Sequence, residues 1–264
     1  MLGFIGTGNM ATAIIKGVLA SGMLKSGEIA VCDICQEKAK ALSAEYGVQV
    51  FSCAKEIAAG CDKVVLSVKP NVFPSLLGEI GSVLSENSPL IISIAAGKTL
   101  EFIAECLPYE ARIVRVMPNI NAKVGAAVSA YCGNENASAD DLAFVKALCE
   151  SFGIAVNIEQ KLFSIYSAIG GCSPAFSYMF IDSLARAAVK NGMPKAQALE
   201  VAAGAVLGSA KMILESKEHP WSLVDQVCSP GGTTIEGVAA LQSGSFEALV
   251  GEAVEAAYNK DKAL

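Results

Sequence analysis

Along the first part of the chain, short apolar runs alternate with segments whose apolar residues recur every three to four positions. Short apolar runs bounded by turn residues predict strands, and the spaced segments predict amphipathic helices. The chain opens on an apolar strand ending at Ile5, and helical spacing follows over residues 12–19. Further strands are predicted at 28–33, 48–51, 63–68, 90–95 and 113–117, with helices at 36–46, 54–59, from Pro70 onward and at 100–106. The run at 63–68 is almost continuous, as in a strand buried on both faces. Proline suits a first helical turn, which favours Pro70 as a helix start. Two more strands, 124–131 and 154–158, flank a helix near 139–152. Repeated strand–helix units predict an α/β fold with a parallel, right-handed, doubly wound sheet of Rossmann type.

After residue 159 the strand signal stops. A long helix is predicted at 162–191, bent near Gly170–Pro174, then helices at 195–216, 222–227, 234–242 and 246–259. The expected division is therefore a dinucleotide-binding domain at 1–159 and an all-helical domain at 160–264. Several of the later helices are apolar almost all round, as in Ala202-Ala203-Gly204-Ala205-Val206-Leu207-Gly208. Such helices must be buried, and about a hundred residues enclose too little interior to hide them all. Subunits are expected to pack through this domain as a homodimer or a larger homo-oligomer.

Composition narrows the class. Of 264 residues, 53% are hydrophobic and 17% charged, so the chain is globular and shows no disorder signature. The net charge of −6 and the lack of a basic run argue against nucleic acid as a partner. The apolar stretches at 176–188 and 201–214 are interrupted by Asp182, Arg186 and Lys211 and are expected to fall short of a membrane span. Met1 leads straight into the first strand with no signal-peptide pattern, so a cytoplasmic location is expected. There the nine cysteines should be reduced. Only Cys32-x-x-Cys35 has motif spacing. With no second such pair and a single histidine, His219, buried apolar thiols are the better reading and no metal is expected.

The chemistry begins at Gly6-Thr7-Gly8-Asn9-Met10-Ala11. A strand, Gly-x-Gly-x-x-Ala and a helix form the dinucleotide fingerprint in its proper context. Gly6 permits the tight turn, Gly8 leaves room for a pyrophosphate, and Ala11 lets helix and strand approach. Unpaired N–H groups at the helix start then face the phosphates. Asp33 lies about 25 residues beyond Gly8, where an acid accepts from a free ribose 2′-OH and repels a 2′-phosphate. A second glycine-rich turn, Ser229-Pro230-Gly231-Gly232-Thr233-Thr234, runs into a helix. Its N–H groups suit a small carboxylate, and the Thr233 and Thr234 hydroxyls can bond a ring nitrogen.

Four stretches together resemble the pyrroline-5-carboxylate reductase family. They are Phe4–Met10, Val68-Lys69-Pro70, Arg115-Val116-Met117-Pro118-Asn119 and the turn from Ser229 to Thr234. The resemblance covers essentially the whole chain. It implies a Rossmann domain followed by an interlocked helical dimerisation domain, with further assembly as a ring of dimers in many members. The implied reaction is reduction of 1-pyrroline-5-carboxylate to L-proline by NAD(P)H, with Thr234 as the donor to the imine nitrogen. It further implies substrate contacts from Ser229, Gly231, Gly232, Thr233 and Thr234. Cofactor contacts are implied from Gly6, Thr7, Gly8, Asn9, Met10, Val68, Lys69, Pro70, Ala95, Ala96, Gly97 and Asn119, and the position of Asp33 after the second strand adds it to them.

Two departures bear on chemistry. Gly170-Gly171-Cys172-Ser173-Pro174-Ala175-Phe176 stands where many members read Ser-Gly-Ser-Gly-Pro-Ala-Tyr. Cys32-Asp33-Ile34-Cys35 stands where many carry residues suited to a 2′-phosphate, so NADH is expected to be tolerated or preferred, with Lys38 and Lys55 as the cations able to restore phosphate binding. Two other readings compete. A related 3-hydroxy-acid dehydrogenase would need a catalytic lysine, for which Lys190, Lys195 and Lys211 are available. A non-catalytic NAD(P)-binding protein would keep the fold without turnover.

Overall fold

Eight strands pair in one sheet in the computed structural model, which describes residues 1–263. They are β1 (Leu2–Ile5), β2 (Ile29–Cys32), β3 (Gln49–Val50), β4 (Lys63–Leu66), β5 (Leu90–Ser93), β6 (Ile113–Met117), β7 (Ala127–Gly133) and β8 (Gly153–Asn157). Their order is β3-β2-β1-β4-β5-β6-β7-β8. The strand order reverses between β1 and β4, which places a ligand crevice at their carboxyl ends.

Alternation along each strand builds two cores. Leu2, Phe4, Val65, Ile92 and Val114 point to one face, where α1 (Asn9–Ser21) contributes Ile14, Ile15 and Val18. Ile5, Val64, Leu66, Ile91 and Ile113 point to the other, where α3 (Ala54–Gly60) and α4 (Phe73–Asn87) contribute Ile57, Phe73, Leu77 and Ile80. Each such fully buried side chain is worth about 1.5–3 kcal/mol. Period-2 strands with both faces apolar require helices on both sides. The remaining helices of this layer are α2 (Gln36–Tyr46), α5 (Leu100–Glu105) and α6 (Ala139–Glu150).

The sheet is not wholly parallel. β7 pairs with β6 antiparallel, then β8 pairs with β7 parallel. A 3₁₀ turn, Ile120–Val124, joins β6 to β7, whereas α6 supplies a crossover between β7 and β8. A parallel return needs a crossover of about a dozen residues or more, which the β6–β7 connection lacks.

Ser138 and Asp141 close α6 with a reciprocal capping box. The Asp141 N–H donates to Ser138 Oγ at 3.1 Å, and the Ser138 N–H and hydroxyl donate to Asp141 Oδ2 at 3.0 and 2.8 Å. Arg112 Nη1 donates to Asp141 Oδ1 at 2.7 Å. Burial alone would raise the Asp141 carboxyl, but the Ser138 and Arg112 donors outweigh it and hold its pKa below the usual value. Asp141→Asn is therefore expected to destabilise the fold by about 2 kcal/mol at neutral pH, at the low end because Arg112 is partly exposed. A carboxyl whose folded pKa is depressed gives stability above its unfolded value near 3.9. That stability is lost as pH falls through the folded pKa. Urea unfolding at pH 7 and pH 3 should show a large gap between parent and variant that narrows in acid.

The chain divides into two compact units, Met1–Gly171 with residues 261–263, and Cys172–Lys260. The predicted bend in the long helix is a change of helix type. A short α7 (Phe163–Tyr166) passes into a π-helical segment, Ser167–Cys172, before α8 (Ser173–Lys190). The second unit continues with α9 (Lys195–Ser216), α10 (Pro220–Val227), α11 (Thr233–Ser243) and α12 (Phe246–Lys262). Its core among the described residues is small, centred on Ala185, Ala198 and Ala202. Met179, Val201, Leu207, Leu214, Val227 and Leu249 are exposed in the protomer. An apolar surface of this extent marks an interface. By length and composition α9, with 22 residues, is long and apolar enough to cross a membrane, which corrects the expectation that its apolar run is too short.

Candidate functional site

β1 ends at Ile5 and the chain turns at Gly6, whose φ of +101° is open to glycine. A Cβ there would lie 2.8 Å from the Ser67 carbonyl oxygen, because the loop after β4 presses against the turn. Ser67 Oγ locks that contact, within 2.9 Å of the Ile5 carbonyl oxygen and 2.6 Å of that of Gly6. Gly8 then caps α1. Nothing lies within 4 Å of the position its Cβ would take, and no side chain caps the first-turn N–H groups of α1. Empty space beside uncapped N–H groups is the arrangement that receives a pyrophosphate.

These residues line a cleft of about 880 Å³, at the upper end of the roughly 300–1,000 Å³ common for small-molecule sites. Ten of the cofactor residues named from sequence lie on its wall: Gly6, Gly8, Asn9, Met10, Asp33, Val68, Lys69, Pro70, Ala95 and Ala96. The expected strand tails at 63–68 and 90–95 are in fact wall residues, since β4 stops at Leu66 and β5 at Ser93. Thr7, Gly97 and Asn119 lie off the wall. Asn119 is buried and committed elsewhere. Its Nδ2 donates to the Gly170 carbonyl at 2.8 Å, and its Oδ1 accepts from the Asn121 N–H at 3.2 Å. It braces the end of β6 against the π-helical segment.

Asp33 is the most heavily bonded group on the wall. Its Oδ2 accepts from the Thr7 N–H at 2.8 Å and from Thr7 Oγ1 at 2.9 Å, and its Oδ1 accepts from the Cys35 N–H at 2.9 Å. Burial works to raise its pKa. The Thr7 and Cys35 N–H groups, the Thr7 hydroxyl and the charge of Lys38 more than offset that, and the carboxyl is held below the usual range. Lys55 is within 3.8 Å of Glu79, also on the wall.

Further wall residues carry no dinucleotide motif of their own. Ile34 is fully exposed and stands beside Asp33 as an apolar surface. Gln36 Nε2 ties the two loops of that end together, donating to the carbonyl oxygens of Asp33 at 3.3 Å and Ser52 at 2.8 Å. An isoleucine in a loop immediately after the acid was the one available signal. A smaller open pocket of about 180 Å³ is lined by Asn9, Met10, Ala13, Ile120 and Lys123.

The Cys32-x-x-Cys35 pair is split by β2. Cys32 is buried, and burial, then the neighbouring Cys53, push its thiol up to about 12, while Cys35 is exposed. A thiol so raised is a poor nucleophile and a poor metal ligand. His219 caps α10, its Nδ1 accepting from the Trp221 N–H at 3.3 Å.

In the second unit, Ser229–Thr234 forms a tight turn. The Gly232 N–H donates to the Ser229 carbonyl at 3.0 Å, and Gly231 has φ +69°. A Cβ on Gly232 would collide with Ser229 Oγ. Gly232 occupies the cap position of α11 without a side-chain cap, so the N–H groups at Thr233 and Thr234 open outward from a helix start. Thr234 is exposed in the protomer. The turn can hold an anion at its backbone and offer hydroxyls beside it.

Residues 160–264 match the family model for pyrroline-5-carboxylate reductase dimerisation, and residues 1–97 match that for NADP oxidoreductase, coenzyme F420-dependent. The pyrroline-5-carboxylate reductase of Escherichia coli K12 is 42% identical, over 100% of this chain and 97% of its own length. A solved pyrroline-5-carboxylate reductase from Coxiella burnetii is 32% identical with a TM-score of 0.94, over 99% of this chain and 97% of that one. The enzyme from Plasmodium falciparum, solved with NADP bound, is 35% identical with a TM-score of 0.85 over the same shares.

Proposed function

The chain belongs to the pyrroline-5-carboxylate reductase family, and on that premise we propose that it reduces the cyclic imine 1-pyrroline-5-carboxylate to L-proline with NAD(P)H, the last step of proline biosynthesis. The observation that carries the reading is likeness over the whole length, which takes in both glycine turns. Full-length identity to reductases also favours this chemistry over the 3-hydroxy-acid dehydrogenase and the non-catalytic binder.

The residues fit a dinucleotide: the space beside Gly8 and the uncapped start of α1 accept a pyrophosphate. Gly6, Gly8, Asn9 and Met10 hold that part, Asp33 and Ile34 meet the adenosine, and Val68, Lys69, Pro70, Ala95 and Ala96 form the rest of the wall. Thr7 and Asn119 act from behind the wall, Thr7 through Asp33 and Asn119 by bracing the end of β6, and Gly97 continues the loop beyond Ala96. When bound, NAD(P)H supplies the hydride. Ser229, Gly231, Gly232 and Thr233 hold the substrate carboxylate through backbone N–H groups, and the Thr234 hydroxyl donates to the imine nitrogen. A donor there stabilises the charge that develops on nitrogen as the C=N bond is reduced.

We place the domain boundary at 159/160, after the last strand and where the dimerisation model begins. The exposed apolar surface of the second unit supports a homodimer through the helical domain, with a ring of dimers as the larger assembly; light scattering of the purified protein distinguishes them. This surface, α9 included, is read as facing a second copy, with no part for a membrane or nucleic acid. A cytoplasmic location keeps the nine unpaired thiols reduced.

The test is a spectrophotometric assay of 1-pyrroline-5-carboxylate reduction with NADPH and NADH side by side. Turnover with either is expected. Asp33 argues that NADH is tolerated or preferred, so the kcat/KM ratio of NADPH to NADH should stay below about 10, or roughly 1.4 kcal/mol. A larger ratio would remove Asp33 as a selector. No turnover by folded protein that binds a dinucleotide would leave the 3-hydroxy-acid dehydrogenase and the non-catalytic binder.

A further inference from the structure

We infer that Thr7 is a specificity-determining residue for the dinucleotide, acting through Asp33 by fixing the direction of its carboxylate; this rests on the preceding reading of Asp33 as the ribose-facing acid. Thr7 is 6% exposed and sits between the two glycines of the turn, off the cleft wall. Its N–H and its hydroxyl both donate to the same oxygen, Asp33 Oδ2, while Oδ1 accepts only from the Cys35 N–H. A carboxylate offers about four acceptor positions. Three are filled, and the open one is on Oδ1.

That arrangement discriminates by chemistry. A free 2′-OH brings a proton for the open position. A 2′-phosphate brings only acceptors and negative charge to a carboxylate that cannot turn away. The backbone N–H bond would survive any residue but proline at position 7, whereas the hydroxyl bond needs threonine or serine. Without it the carboxylate keeps one bond per oxygen and gains freedom about its terminal torsion, which is intrinsically broad. It can then rotate from an incoming phosphate, and Lys38, whose charge Asp33 already feels, becomes available to that phosphate.

The experiment measures Kd for NADPH and NADH by calorimetry, with KM and kcat for both, in the parent, Thr7→Val, Thr7→Ser and Asp33→Ser. Thr7→Val is expected to tighten NADPH by at least about tenfold relative to NADH, the scale of one bond to a charged group, with the change in KM and not in kcat. Thr7→Ser keeps the donor and should retain the parent ratio. A merely damaged turn weakens both dinucleotides together, so equal losses in Thr7→Val would overturn the inference. Should the valine variant not fold, Thr7→Ala removes the same hydroxyl and is read the same way. Asp33→Ser separates the two levels. If it shifts the ratio and Thr7→Val does not, only the role of Thr7 fails; if it leaves the ratio unchanged, the reading of Asp33 fails and takes this one with it.

Discussion

Gly6→Ala is expected to abolish tight dinucleotide binding and to lower the melting temperature by several degrees. Two costs combine at this residue. Its φ of +101° is strained for any L side chain, at about 1–3 kcal/mol. The added Cβ would also lie 2.8 Å from the Ser67 carbonyl oxygen and 3.0 Å from its carbon. Neither atom can retreat cheaply, because the Ser67 N–H is bonded to the Ile5 carbonyl at 3.0 Å and its hydroxyl reaches the carbonyl oxygens of Ile5 and Gly6. The turn must open, and opening it moves the start of α1 and the Thr7 donors away from the cleft. A total near 3 kcal/mol corresponds to roughly 6–12 °C for a domain of this size. Calorimetry should find Kd for either dinucleotide raised at least about tenfold. A variant that binds within twofold of the parent would show that the turn is not where the pyrophosphate is held.

Thr234→Ala should produce the other large effect, a loss of about 1–3 kcal/mol of transition-state stabilisation. That is roughly a 5- to 150-fold fall in kcat/KM for the imine, with dinucleotide Kd unchanged. The hydroxyl sits in the first turn of α11, above a cap residue that has no side chain of its own. Being exposed in the protomer, it should cost little stability when removed, within about 0.5 kcal/mol. Thr234→Ser keeps the donor and should recover most of the rate, which separates loss of the hydroxyl from a shift of the helix. A rate unchanged in the alanine variant would take Thr234 out of the mechanism and leave the backbone of the turn as the substrate's holder.

Much of this architecture is local, and local features are legible in sequence. The bounds of α9 are the predicted 195–216, because a long apolar segment follows Pro194 and gives way to a polar stretch. The glycine turn after β1 was equally legible, since φ > 0 and close backbone approach each demand glycine at a fixed offset. What the residues alone could not disclose depends on partners far along the chain. The antiparallel turn of β7 follows from how a short connection closes in space. Val68 and Ala95 continue apolar runs, and only the register of the sheet decides that β4 and β5 stop before them and leave them on the cleft wall. Asn119 stands in a family motif, yet its amide is engaged by Gly170, 51 residues away. Thr7 and Asp33 are 26 residues apart, and nothing in the spacing of either predicts their bond. Periodicity, turns and caps reflect steric preferences of neighbouring residues, so the elements, the two glycine turns and the family resemblance can be read from the residues in order. Hydrogen bonds that join distant loops exist only once the sheet has brought β1 and β2 side by side, so the tertiary structure alone decided which wall residues are free to meet a ligand and which are already engaged.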